Sequence, residues 1–166
     1  MTDVAIQPKL QRYPEELVAS ALFLLKRLGM TAKEQSMDAY AETGLHPYHH
    51  AILTVLAEGS RETQGSIADA LGYDKGQFVG LLDELEEKGL VERKRDPNDR
   101  RRHTVKMTPA GKKALEKFRR LSSRLEDEFL ASLSESEREE LHRLLLRLAE
   151  QHLPNCRFTA PAPTSG

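Results

Sequence analysis

Residues 93–107 read RKRDPNDRRRHTVKM, a run of arginine and lysine set around a Pro-Asn-Asp turn. Most runs of charge are only solvated surface, so the surroundings decide what this one means. From Val91 to Lys113, nine positive side chains stand against three negative ones, a local excess of +6. The whole chain carries −1, so everything outside that segment sums to −7. A chain that gathers its positive charge into one short segment has the electrostatic footprint of a polyanion binder, even though its total charge does not suggest one.

Such a cluster acts only if the fold presents it, and four blocks frame it. Pro14 opens a long amphipathic helix in which Leu17, Ala21, Leu24, Leu25 and Leu28 recur at helical spacing, with a break expected near Gly29. Three shorter helices follow, predicted over 48–58, 64–71 and 75–88. The period then changes to two: Val91 and Arg93 precede the turn and His103, Val105 and Met107 follow it, which predicts a two-stranded hairpin. Thr108 and Pro109 restart a helical pattern, and a Ser134/Glu137 capping box divides it into helices at about 109–132 and 135–153. The fold class expected is mainly α with one small β-hairpin.

The two helices before the hairpin supply a second chemistry. Ile67, Ala68 and Leu71 mark one apolar face, Gly72 permits a tight turn, and Asp74 caps the next helix with Gln77 three residues on. This is the pattern of a helix-turn-helix, whose second helix can lie in a DNA major groove. Phe78, Leu81, Leu82 and Leu85 fall at i, i+3, i+4 and i+7 and are expected inside, leaving Lys75, Gly76, Gln77, Val79 and Gly80 outside. A glutamine can pair with adenine, a lysine can reach guanine or phosphate, and Val79 can touch a thymine methyl group. A helix-turn-helix followed at once by an arginine-loaded hairpin is a winged helix. Arg95, Arg100, Arg101 and Arg102 suit a narrow minor groove, where the phosphate potential is concentrated and a guanidinium is cheaper to desolvate than an ammonium. Asp96 and Asp99 are expected to stabilise the turn through backbone amides, with Asp99 also orienting a neighbouring guanidinium.

Composition narrows the alternatives. The chain has 166 residues, 31% of them charged and 5% aromatic with no Trp, which favours long amphipathic helices around a real core. No apolar run approaches the roughly 18 residues of a membrane span and no signal-peptide pattern is present, so a cytoplasmic protein without membrane contact is expected. One cysteine, Cys156 in a Pro/Ala/Thr-rich tail, can form neither an internal disulfide nor a metal cage, and it lacks the structured electropositive setting of a redox sensor. There is no Gly-rich phosphate loop and no nucleophile with a base near it in sequence, so an enzyme is not expected, nor a cofactor. A winged helix used for protein assembly would carry an apolar recognition face and no basic wing, the reverse of what stands here.

The segment DPNDRRRHTVKMTPAG, preceded by LLDELEEKGLVERK, resembles the wing signature of the MarR family of bacterial transcription regulators. The order of elements is similar from about residue 14 to 153. Asp96, Asp99, Arg100 and Arg101 match the family's wing motif, and Gln64 and Ser66 match the polar helix start where phosphate contacts are expected. The recognition helix departs from the family pattern at Gly76, Gln77, Val79 and Gly80, so base preference does not transfer. The resemblance implies a triangular homodimer acting on a roughly palindromic operator, probed by a small-molecule effector. It also implies four regions: a dimerisation helix region in 1–41, a winged helix-turn-helix in 42–108, C-terminal dimerisation helices in 109–153 and a flexible tail in 154–166.

An effector pocket is implied where the dimer helices meet the DNA-binding lobe, and Tyr40, His46, Tyr48, His49 and His50 lie near that junction in sequence. Three histidines in five residues can also bind Zn2+ with a carboxylate such as Glu42, as some members of the family do, which makes a metal-responsive regulator the alternative. Ordinary packing and capping at a helix start is the preferred account of these histidines, so no metal site is expected.

Overall fold

A computed structural model describes residues 12–59 and 63–153. Cys156 and the expected tail lie outside the described residues. The elements run α1 (Glu15–Val18), α2 (Ala21–Ala41), α3 (Pro47–Glu58), α4 (Gln64–Leu71), α5 (Lys75–Glu87), β1 (Val91–Arg95), β2 (His103–Met107), α6 (Pro109–Phe129) and α7 (Glu135–His152). This is the mainly α class with one hairpin, in the order read from the sequence. The chain separates into two compact units, one ending at Gln35 and the other starting at Ser36.

In the first unit, Pro14 stands at the N-cap of the single-turn helix α1. The break expected near Gly29 falls instead at Ala19 and Ser20, and α2 runs unbroken through Gly29. The physical reason is local. Ser20 Oγ accepts the Phe23 amide at 3.3 Å, which starts a new helix. A helix-interior glycine, by contrast, costs only about 1 kcal/mol relative to alanine and need not break anything. Tyr13 packs edge-on against Phe23 at 5.4 Å and its hydroxyl receives Arg27 at 2.6 Å. Leu17, Leu22, Leu24, Leu25 and Leu28 remain exposed on the single chain.

The second unit holds the core. Ile52 and Leu53 of α3, Ile67 and Ala68 of α4, and Phe78, Leu81, Leu82 and Leu85 of α5 close on Val91, Val105, Leu115 and Phe118. Leu71 is half-buried against this cluster. Each large side chain so buried contributes about 1.5–3 kcal/mol. Gly72 ends α4 in the left-handed region at φ 64°, a conformation glycine adopts without a Cβ clash, and the chain turns into α5. Asp74 Oδ1 then accepts the amides of Gly76 and Gln77 at 2.9 and 3.2 Å, as the sequence predicts.

The strands pair antiparallel with Val91 opposite Met107, Arg93 opposite Val105 and Arg95 opposite His103. Thr63, just ahead of α4, bridges to Thr104 and so ties the helix pair to β2. Behind the hairpin, Thr108 caps α6: its amide bonds Leu90 O at 3.0 Å, its hydroxyl donates to Gly89 O at 2.6 Å and accepts the Gly111 amide at 3.0 Å. A Cβ on Gly111 would lie 2.1 Å from Leu90 O, so only glycine permits this approach. The Ser134/Glu137 capping box opens α7 as predicted, and Leu144, Leu145 and Leu148 stay exposed along it. Among the described residues, no helix is long and apolar enough to cross a membrane.

Candidate nucleic-acid interface

The N-terminal half of α5 is exposed at Lys75, Gly76, Gln77, Val79 and Gly80, while Phe78 points into the core. Beside it lies a cleft of about 460 Å³, lined among others by Gln64, Ser66, Lys75, Val79, Arg101, Arg102 and His103. Residues predicted from three separate stretches of sequence thus line one surface. Gly65 and Asp69 also line the cleft and are not among the residues expected from sequence to meet DNA; Asp69 falls three residues after Ser66, on the same face of α4.

Ser66 has a local role at this surface. Its hydroxyl is occupied in the reciprocal cap of α4, donating to Thr63 O at 2.9 Å and accepting the Thr63 amide at 3.2 Å. A side chain already bonded on both sides is a poor phosphate donor, so Ser66 positions the helix start.

The wing tip is built from backbone turns. Asp96 and Arg102 exchange a backbone bond of 2.9 Å, and the Arg102 amide bonds Asp99 O at 2.9 Å. Asp96 Oδ1 accepts the Asn98 amide at 2.8 Å and Asp99 Oδ1 accepts the Arg101 amide at 3.0 Å. Both aspartates therefore hold the turn as expected. No guanidinium pairs with Asp99 among the described residues; its carboxylate accepts the Arg101 amide. Arg95, Arg100, Arg101 and Arg102 are exposed, and none forms an ion pair among the described residues. Four unneutralised guanidinium groups on a fixed turn are suited to an external anion.

Arg93 behaves differently from the others. Its Nη2 lies 2.6 Å from Asp83 Oδ1 and its Nε donates to Glu86 Oε2 at 2.8 Å, while its amide bonds Glu86 Oε1 at 3.3 Å. Hydrogen bonding from Arg93 holds the Glu86 carboxyl below its ordinary range. This arginine braces the first wing strand to the end of α5 and is neutralised in doing so.

The five residues expected around an effector fall into two groups, Tyr40 with His50, and His49 and Tyr48 around His46, whose ring lies 4.1 Å from that of His49 and 5.3 Å from that of Tyr48. Tyr40 Oη and His50 Nδ1 lie 2.7 Å apart, and both rings pack on Phe118, at 5.3 and 5.6 Å, joining α2, α3 and α6. Burial, then the nearby Arg119, lowers the pKa of His50. Tyr48 packs edge-on against Tyr73 at 5.4 Å. His46 and His49 turn toward α5, where Glu84 Oε2 lies 3.0 Å from His49 Nε2. The carboxylate near the histidines is thus Glu84, brought by the fold, and not Glu42; His50 is committed to Tyr40. A separate cleft of about 550 Å³ places Lys106, Lys112 and Arg119 around Leu56, Val105, Met107 and Leu115.

A helix pair with an exposed second helix, flanked by a basic hairpin on a helical frame, defines a winged-helix transcriptional regulator. The sequence pattern of the MarR family matches residues 43–102. The chain is 36% identical over 130 residues to the putative transcriptional regulatory protein for the hcr operon of Thauera aromatica, covering 78% of each protein. Its fold is similar to that of the transcriptional repressor CouR bound to a 23-mer DNA duplex, with a TM-score of 0.74 and 31% identity over 84% of this chain and 99% of that one. It is also similar to CouR of Rhodococcus jostii RHA1 bound to p-coumaroyl-CoA, with a TM-score of 0.68 and 25% identity over 82% and 96% of the two chains. The chain belongs to the MarR family. It is a transcriptional regulator and not an enzyme.

Proposed function

We propose that this regulator is a repressor that binds duplex DNA as a homodimer on a palindromic operator and leaves it when a small-molecule effector binds. The observation that carries the reading is the cleft between the start of α5 and the wing, where Lys75 and Val79 face Arg101 and Arg102. In this reading Lys75, Gln77 and Val79 meet base edges in the major groove, while Arg95 and Arg100 to Arg102 reach the adjacent minor groove. Gln64 contacts phosphate, and Gly76 and Gly80 let the backbone approach closely. The exposed leucines of α1 and α2 in 1–41, and those of α7 in 109–153, are the surfaces a second copy would cover.

The effector is a lipophilic anion, the class to which the p-coumaroyl-CoA of the CouR complex belongs. The cleft with Lys106, Lys112 and Arg119 over an apolar floor has the matching composition. Arg119 also influences His50, so an anion there would act on the Tyr40–His50 contact that joins α2 to α3.

The test is selection of bound duplexes from a random pool, followed by titration of the recovered site at several salt concentrations. Inverted half-sites and a steep fall of affinity with salt are expected, since released counterions dominate the binding. Gln77→Ala should cost roughly 1–3 kcal/mol at one base pair per half-site. A monomer at micromolar concentration, or binding indifferent to salt, would overturn the reading.

A further inference from the structure

We propose that His46, His49 and Glu84 form a binding site for a transition-metal ion of the Zn2+ type, joining the first turn of α3 to the recognition helix α5. The donor atoms of these three residues lie within 4.8 Å of one another. Two of the ring nitrogens are buried, and His46 Nδ1 has no hydrogen-bond partner. His49 is fully buried, and Glu84 Oε2 stands 3.0 Å from its Nε2. Buried polar nitrogens are ordinarily paired. A partnerless imidazole nitrogen grouped with a second imidazole that already faces a carboxylate is what an ion with nitrogen and oxygen ligands would satisfy.

The geometry can close. His46 and His49 sit three residues apart at the start of α3, so their rings share a face, with centroids 4.1 Å apart. Ligand bonds of about 2.0–2.2 Å in a tetrahedral site place donors roughly 3.3 Å from one another. The Glu84–His49 pair, at 3.0 Å, already stands near that spacing, and the Glu84 side chain, 53% exposed, can swing to meet His46 as well. Two imidazoles and a carboxylate suit zinc better than magnesium or calcium, which take oxygen sets. Three protein ligands leave a fourth position for water.

Lys88 is the cation that works against the site. Ligation through Nε2 puts the ring proton on Nδ1, which now accepts the His46 amide at 3.2 Å. That bond must be given up, so metal binding resets the first turn of α3 as it fixes Glu84 in place. Glu84 lies on the helix whose first half carries Lys75 and Gln77. The effect on DNA rests on the reading of α5 as the base-reading helix; the metal site does not.

The full chain, freed of metal and dialysed, is titrated with ZnCl2 in competition with a chromophoric zinc indicator, and separately with CoCl2 to read the visible absorption of a low-coordinate site. One ion per chain is expected, lost in both Glu84→Gln and His46→Gln and retained in Glu42→Gln and His142→Gln. Glu84 is exposed, so its variant folds even where a His49 variant does not. Absence of stoichiometric zinc in the parent chain, or undiminished binding by both ligand variants, overturns the site. The same samples are then titrated with duplex DNA with and without zinc. A zinc-dependent change in affinity supports the coupling of α3 to α5, and bound zinc without any change overturns that coupling. Failure to bind DNA under either condition counts against the repressor reading and not against the metal site.

Discussion

Arg93 and Glu86 are joined three times, by Nε at 2.8 Å and Nη2 at 2.5 Å from Glu86 Oε2 and by the Arg93 amide at 3.3 Å from Oε1. The pair fixes the direction in which β1 leaves the recognition helix. A residue of the most basic stretch of the chain is therefore engaged inside the fold, bracing the wing. Asp83 completes the arrangement on the other side of the guanidinium.

Arg93→Ala and Arg101→Ala should consequently fail in different ways. Removing Arg93 frees two carboxylates and loosens the strand, at a cost of about 1 kcal/mol in stability, since the three side chains are only partly shielded from solvent. Its DNA affinity should fall while the dependence on salt keeps its slope, because no phosphate contact is lost. Arg101→Ala should leave stability nearly unchanged and reduce the salt slope by about 1. Thermal melts together with DNA titrations over a salt series separate the two. Equal salt slopes in both variants would show that Arg93 does not act as a brace.

Gly111→Ala tests the seat of the wing on α6. The added methyl group meets Leu90 O and the Met107 side chain, and the nearer of these is backbone that cannot swing aside. A loss of about 1–3 kcal/mol is expected from such overpacking. Gly80→Ala is the control: it meets nothing within 4 Å, so urea denaturation should find it at least as stable as the parent.

Glu137 makes the start of α7 sensitive to acid. It accepts the Ser134 amide at 2.8 Å, and this bond, followed by the one with the Ser134 side chain, lowers its pKa from 4.5. A folded-state pKa below the unfolded one means that the contribution is fully present above pH 4.5 and is lost as pH falls through the folded value. The parent should melt above Glu137→Gln at neutral pH, and the gap should close below pH 4.5, where the protonated acid resembles the amide. A gap constant from pH 7 to pH 3 would remove the charge from the explanation.

What could be read in advance followed from periodicity. Phe78, Leu81, Leu82 and Leu85 announce the inner face of α5, because a 3.6-residue period leaves them no other common side. The wing announced itself by a change of period around a turn. Arg93 adds to the charge of the basic run, yet alternation from Val91 puts it on the inward side, opposite Val105, which is where its brace to α5 comes from. The histidines show a different limit. Their spacing separates His46 and His49 from His50, which lies about 100° further round the helix. It cannot reveal that Glu84 waits on another helix, since tertiary packing alone brings that carboxylate in. The misplaced break in the first block has a third cause, in that glycine only weakens a helix, whereas Ser20 actively starts one.

Asp99 offers the sharpest test of how the wing works. Counting charge alone, removal of a carboxylate beside phosphates should tighten DNA binding. The structure gives that carboxylate a different task, because it accepts the Arg101 amide at 3.0 Å and sets the backbone from which Arg100 to Arg102 project. An asparagine oxygen can accept the same bond without the charge, whereas alanine cannot. Asp99→Ala should therefore weaken binding, as the arginines lose a preorganised turn and must surrender more conformational freedom on docking. Asp99→Asn should bind at least as tightly as the parent, having kept the turn and lost the repulsion. Titration of one labelled duplex with the three proteins at fixed salt decides the matter: if both variants bind more tightly, the turn geometry is irrelevant and the wing works as diffuse charge.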